Sequence, residues 1–260
     1  MSAFNFKPFW ARLIKGLLIG GMTAGAAQAQ SSVTSNNSSI EQIGTDNVAV
    51  VTTNDINQST VKQSGSGNRA SVNMSGTKNG QGDGSVEQTG DNNDISLSID
   101  GDDNSFLIEQ SGDGATNRAT LTQDGSFNDL SIVQYATGLT SGLANVAEVS
   151  QIGNGNAASV EQTAFFASES FFNNEALISQ NGDDNIASVT QTGRGNKSEQ
   201  VQNGDGNTSN VLQTGDNNTL IHRQFGDDLS VPSELGGIVI EQTGGSSIMI
   251  EQYSPGQGPF

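Results

Sequence analysis

A seven-residue motif in strict alternation, N-x-A-x-V-x-Q, recurs along this chain and limits what the chain can fold into. Asn185-Ile186-Ala187-Ser188-Val189-Thr190-Gln191 is one copy, and Asn145–Gln151, Asn156–Gln162 and Asn174–Gln180 repeat it. The Asn-to-Gln spacing of six recurs at Asn36/Gln42, Asn57/Gln63, Asn104/Gln110, Asn117/Gln123, Asn128/Gln134, Asn196/Gln202, Asn207/Gln213 and Asn218/Gln224, making twelve pairs. Six degenerate copies end at Thr53, Met74, Gln88, Ile99, Gln242 and Gln252, for eighteen in all. Period-two alternation is the pattern of a β-strand with two unlike faces. Asn, the two apolar positions and Gln fall on one face, and Ser, Thr, Glu, Lys and Arg dominate the other. Gly, Asp and Asn links such as Thr192-Gly193-Arg194-Gly195 separate the copies and read as tight turns, because these residues accept positive φ.

One strand plus one turn occupies eleven residues where the repeat is most regular, from Gln180 to Gln224. The true period is twice that. Thr53, Met74 and Ile99 close the second, fourth and sixth copies, so a rung of two strands and about 22 residues places all three in one column. Eighteen strands then give about nine rungs. The expected fold is all-β: a parallel β-solenoid of stacked strand-turn-strand rungs over residues 36–252, amyloid-like in its stacking. Seven-residue strands cannot bury one face alone, whereas rung upon rung brings the Ala, Val, Ile and Leu columns into a thin continuous core. Identical amides stacked about 4.7–4.8 Å apart can satisfy one another in a ladder. That accounts for polar residues at both ends of each inward face, and makes the twelve Asn/Gln pairs the candidate structural site.

The remaining composition excludes several function classes. The chain has no Cys, which removes disulfide frameworks, Cys-based metal sites and Cys–His catalysis, and its single His leaves Ser–His catalysis nearly excluded. Residues 1–29 read as a secretory signal: a basic start at Lys7, Arg12 and Lys15, the short apolar run Gly16–Met22, and Ala27-Gln28-Ala29 as cleavage site, with the mature chain beginning at Gln30. Residues 30–35 form a short polar leader and 253–260 a tail. Three of the ten basic residues and none of the 28 acidic ones lie in the signal, so the exported chain carries a net charge of −21. That sign argues against nucleic acid as a partner. No stretch reaches transmembrane length. With eight residues after the last strand and six before the first, neither end offers a cap of different sequence, so each end is expected to add another copy of the chain.

Gln151-x-Gly153-x-Gly155-Asn156-x-Ala158-x3-Gln162 resembles the repeat of the curlin family, S-x5-Q-x-G-x-G-N-x-A-x3-Q. Gln63-x-Gly65-x-Gly67-Asn68-x-Ala70 matches until Met74 replaces the final Gln. Gln191-x-Gly193-x-Gly195-Asn196 matches and then has Ser198 in place of Ala. The resemblance covers most of residues 36–252. It implies a secreted, extracellular functional amyloid of the biofilm matrix and cell-surface adhesion, exported through periplasm and outer membrane. The partners it implies are further copies of the chain, another curlin subunit or nucleator, and a dedicated outer-membrane channel. Neither enzyme activity nor a cofactor is expected. The chain departs from the family pattern in its number of rungs and its short leader. Three spacings also widen to 17 or 18, at Gln134–Gln151, Gln162–Gln180 and Gln224–Gln242, and these insertions should bulge from turns without shifting the strands.

Other features carry less. The insertion Thr163–Phe172 holds four of eleven Phe and reads as a loop folded on its own rung, the sharper reading being a sticky patch. His222 takes an inward position, with Gln200 and Ile250 as column neighbours, and reads as a tolerated polar substitution rather than a pH-sensitive defect. Acidic turns such as Gly182-Asp183-Asp184 lack the ligand spacing of calcium loops and read as solubility devices. Glu41, Glu87, Glu109, Glu161, Glu241 and Glu251 each precede a column Gln or its equivalent, and most should share one outward column as gatekeepers against premature assembly. The competing functions are a carbohydrate-acting enzyme on a β-helix, which would need converging carboxylates, and a monomeric solenoid adhesin binding calcium or ice.

Overall fold

The computed structural model describes residues 28–32, 37–81, 84–113, 115–137, 142–165, 173–229 and 238–255. Asn36, the signal segment before Gln28, and Phe166, Phe171 and Phe172 of the aromatic insertion lie outside them. The described residues hold strands and turns and no helix. In chain order the strands are β1 (Gln28–Ser32), β2 (Asn37–Thr45), β3 (Val48–Thr53), β4 (Gln58–Ser66), β5 (Arg69–Ser75), β6 (Ser85–Gly90), β7 (Asp94–Asp100), β8 (Ser105–Asp113), β9 (Thr116–Asp124), β10 (Asp129–Thr137), β11 (Leu143–Ile152), β12 (Ala157–Phe165), β13 (Asn174–Asn181), β14 (Ile186–Thr192), β15 (Lys197–Asn203), β16 (Thr208–Thr214), β17 (Thr219–Phe225), β18 (Ile238–Thr243) and β19 (Ser247–Tyr253).

All pairings are parallel. Odd-numbered strands form one ten-stranded sheet and even-numbered strands a nine-stranded sheet facing it, each in chain order. The chain is therefore a two-sheet parallel β-solenoid, in which consecutive strands alternate sheets and each strand pairs with the strand two places on. The reason is the alternation itself. Strands such as β5, with burial pattern exposed–buried along its length, must cover one face completely, and only the opposite sheet and neighbouring rungs can do so. Ala70, Val72, Leu97, Ile108, Leu121, Ile132, Val149, Val160, Ile178 and Val189 belong to one continuous buried core.

The two-strand period is visible in the register. Thr53 pairs with Met74, Met74 with Ile99, and Ile99 with Gln123, so the three non-Gln strand ends do share one column. The long connections leave the register intact: Gln134 pairs with Gln162, Gln151 with Gln180 and Gln213 with Gln242. Two of them run from β10 to β11 and from β12 to β13, on one edge of adjacent rungs. The third runs from β17 to β18 on the opposite edge. Where the first two depart, Ala115, Ala136, Ala144 and Ala164 pack into a small apolar cluster of their own.

One strand exceeds the expected eighteen. β1 pairs with β3, Gln28 opposite Val48 through Ser32 opposite Thr52. The segment expected to be the signal end and short polar leader is thus partly a strand, and it spans the expected cleavage point between Ala29 and Gln30.

Candidate functional site: the amide columns

The site is distributed along the whole axis. In the nine-stranded sheet the column runs Gln42, Gln63, Gln88, Gln110, Gln134, Gln162, Gln191, Gln213 and Gln242, all 9% exposed or less. The Nε2 of each Gln donates to the Oε1 of the next. Gln42 reaches Gln63 at 2.6 Å, Gln63 reaches Gln88 at 2.7 Å, Gln134 reaches Gln162 at 2.8 Å, and Gln213 reaches Gln242 at 2.7 Å. In the ten-stranded sheet the same ladder begins only at Gln123 and continues through Gln151, Gln180, Gln202, Gln224 and Gln252.

From Gln63 to Gln242 each column Gln amide has a second N–H that crosses the solenoid. Gln134 donates to the Arg118 carbonyl at 3.0 Å, Gln162 to Val146 at 3.0 Å, Gln191 to Glu175 at 3.0 Å and Gln151 to Asp129 at 3.1 Å. A backbone carbonyl at or near the start of the facing strand is satisfied each time, so one side chain bonds along the axis and also ties the two sheets together. Leu or Met would fill the space and leave that carbonyl bare.

Asn works at the other end of the strand. The Oδ1 of Asn156 accepts the backbone N–H of Asn185 at 3.0 Å, while its Nδ2 donates to the Gly182 carbonyl in the next rung's turn at 2.8 Å. Asn104, Asn128 and Asn185 make the same glycine contact, to Gly125, Gly153 and Gly204. In the other sheet Asn117, Asn145, Asn174, Asn196 and Asn218 are joined side chain to side chain. Asn207 also donates to Gly226, and Asn57 to Gly76. The shorter amide is required because the glycine carbonyl lies against the turn. The turn glycines stack closely: a Cβ on Gly153, which has φ of 117°, would sit 2.1 Å from the Gly182 oxygen.

The described columns hold every one of the twelve pairs except Asn36. They also take in Asn47, Asn68, Asn79 and Asn93, which the twelve pairs omit. Three of these precede Thr53, Met74 and Ile99 at the standard spacing of six, a signal available in the sequence. Asn79 is followed by a longer, irregular stretch. Replacement of Gln at the first three odd positions has a cost that the structure locates: the Gln123 Oε1 is buried and has no hydrogen-bond partner, because Ile99 stands where a donor would be.

Acidic turns have a role beyond charge. The Asp102 carboxylate accepts the Thr77 backbone N–H at 2.6 Å and the Thr77 hydroxyl at 2.8 Å, and these bonds hold its pKa below the usual carboxylate range. Asn154, Asp183 and Asp205 donate their backbone N–H groups to the side chains of Asp183, Asp205 and Asp227 in turn. The carboxylates thus close turn N–H groups from rung to rung. Among the described residues no group of three or more His, Asp or Glu side chains is placed to hold a metal ion.

Glu41, Glu87, Glu109, Glu161 and Glu241 do fall in one outward column, interrupted by Lys62, Val133, Thr190 and Leu212, so only Glu87 and Glu109 are direct neighbours. Glu251 lies on the other sheet, where it and Glu199 flank Arg223 in ion pairs. His222 sits between Gln200 and Ile250 and is 1% exposed. Its Nδ1 lies 2.6 Å from the Ser209 hydroxyl and its Nε2 3.0 Å from Gln252 Oε1, an acceptor, so the proton of the neutral ring is on Nε2. Burial lowers the His222 pKa, against a smaller upward pull from Gln252. The core is polar here, with Ser198 Oγ and Gln200 Oε1 also buried and unpartnered.

Among the described residues no helix is long and apolar enough to cross a membrane. No curated protein and no solved structure matches the chain. The family model described as the curlin-associated repeat matches twice, at residues 83–112 and 170–197. The first match covers β6 and β8 with the strand between them, and the second covers β13 and β14, so both fall on the laddered rungs. Two matches to the curlin-associated repeat, set within a periodicity that extends from β2 to β19, support kinship of this chain with the curlin family.

Proposed function

We propose that this curli-type structural subunit assembles with copies of itself into extracellular amyloid fibres of the biofilm matrix. The reading is supported by one observation above the others. The Gln column of the nine-stranded sheet ends at one side in Gln42, whose Oε1 accepts from nothing among the described residues, and at the other in Gln242, whose Nε2 has the position from which every earlier Gln feeds the next. A second copy stacked in the same sense offers the missing partner at each end. Backbone edges of β2 and β18 present the same complementarity, since a parallel edge strand pairs with any strand in register.

In this reading residues 1–29 direct export and are removed between Ala29 and Gln30, residues 36–252 form the fibre core, and a nucleating subunit and an outer-membrane channel are its partners. The outward Glu residues slow assembly before export. The test is incubation of the purified chain lacking residues 1–29, with and without preformed seeds. Fibres with a meridional reflection at about 4.7–4.8 Å, and a lag shortened by added salt, are expected. A chain that stays monomeric with unchanged circular dichroism over the same period, seeded or not, overturns the proposal and favours a monomeric solenoid adhesin.

A further inference from the structure

The two ends of the solenoid differ. At one end β18 and β19 are joined by the tight Gly244-Gly245 turn and are the outermost strands of the nine- and ten-stranded sheets. At the other end β2 and β3 make the corresponding pair, joined through Asp46, but β1 lies one strand further out over β3. The ten-stranded sheet thus has one strand more than the nine-stranded sheet, a step of one strand.

An outer strand completes the burial of the strand beneath it. Ala49 and Val51 of β3, beneath β1, are 0% and 1% exposed. Ile248 and Ile250 of β19 are only partly buried against the core.

A step of this kind is incompatible with seamless stacking. If β19 of one copy pairs with β1 of the next, β18 and β2 are left a strand's width too far apart, since neighbouring strands need a spacing of about 4.8 Å. A full row of backbone groups in the nine-stranded sheet then goes unpaired, and Gln242 cannot reach Gln42. With β1 gone, β19 pairs with β3 and β18 with β2 together, and both sheets continue.

We propose that β1 is a displaceable cap on the β3 edge, occupying the place that β19 of a second copy takes during growth. The inference rests on the self-assembly reading above. The cap is short, five residues against seven in β19, so an incoming β19 pairs over a greater length than the strand it replaces. The expected cut between Ala29 and Gln30 falls inside β1 and leaves three of its residues, Gln30 to Ser32. Processing therefore weakens the cap without removing it.

The experiment uses the full chain, which has no cysteine of its own. Gln30 and Val50 are register partners in β1 and β3. A Gln30→Cys/Val50→Cys variant, oxidised with an added oxidant, locks β1 in place, because Cα atoms on neighbouring strands lie within the range of about 4.4–6.8 Å that a disulfide spans. Given seeds of the parent chain, locked chains should add at most one copy to each seed and then stop, and reductant should restore elongation. Gln30→Pro/Ser31→Pro removes consecutive β1 N–H groups, one of which must face β3, and should shorten the lag while leaving the circular dichroism of the monomer unchanged. Equal elongation by oxidised and reduced chains overturns the cap and leaves self-assembly standing. Absence of fibres from the parent chain as well overturns self-assembly, and the cap with it.

Discussion

Gln162→Glu isolates what the amide donors contribute. The side chain is fully buried, and its Nε2 donates to Gln191 Oε1 at 2.8 Å and to the Val146 carbonyl at 3.0 Å, while its Oε1 accepts from Gln134 at 2.8 Å. Glutamate has the same shape and changes only the donor atom. Ionised, it sets an oxygen against two acceptors. Neutral, it donates to one of them and leaves the other bare, a loss of about 1–3 kcal/mol. Holding a carboxyl of ordinary pKa about 4.3 protonated at pH 7 costs about 3.7 kcal/mol more. The variant should therefore be destabilised by about 5–7 kcal/mol at pH 7. Its folded pKa is raised above the unfolded value, so the protonation part is present at neutral pH and disappears as pH falls through about 4.3. Guanidinium unfolding of freshly desalted parent and variant, followed by far-ultraviolet circular dichroism, gives the difference at about pH 7 and about pH 4. A Gln162→Leu companion should show a penalty that does not change with pH. An equal Glu penalty at both pH values, or one below about 1 kcal/mol at pH 7, would refute the assignment of the axial bond to an amide donor.

Further outcomes follow from single residues. Gly153→Ala combines positive φ with a carbonyl oxygen 2.1 Å from the new Cβ and should cost about 2–4 kcal/mol in the same unfolding assay, whereas Gly245→Ala meets nothing within 4 Å and should cost about 1 kcal/mol. Gln123→Leu strands fewer groups than Gln134→Leu, since its Oε1 already has no partner, and should be the milder by about 1–3 kcal/mol. His222 has a folded pKa below its unfolded value, so its stability contribution is complete above the unfolded pKa and is lost as pH falls towards the folded one. Between about pH 7 and pH 5.5 the parent should accordingly lose more stability than His222→Gln, measured by denaturant midpoint; identical slopes would show that the folded ring takes up its proton as readily as the unfolded one.

Much of the architecture was legible because the pattern has little freedom. Alternation over seven residues fixes which side chains face inward, and the placement of Thr53, Met74 and Ile99 fixes the two-strand period, since eleven-residue stacking would have scattered them. His222 falls between its expected neighbours for the same reason. The second donor of each Gln was not legible, because its acceptor lies on the facing strand and depends on how the sheets sit across the core. Nor was the Asn-to-glycine bond, although a Gly recurs three residues before the Asn in the regular turns. The turn carboxylates read as charge because a one-dimensional sequence does not show that Asp183, Asp205 and Asp227 lie in successive rungs. β1 was missed because Gln28–Ser32 alternates no better than the residues around it and resembles a cleavage site more than a strand.

The rise from rung to rung is set by backbone pairing and takes no notice of how many residues join the strands. Gln134 and Gln162 align as closely as Gln202 and Gln224, although 28 residues separate the first pair and 22 the second. Added length in a connection costs closure entropy alone, about 0.6 kcal/mol for each doubling. A foreign peptide spliced into one of the long connections would therefore be displayed once per chain without lengthening the stack. Two of those positions are neighbours on one flank and the third is on the opposite flank, so the two sides of any assembly of these chains would carry different cargo at different density.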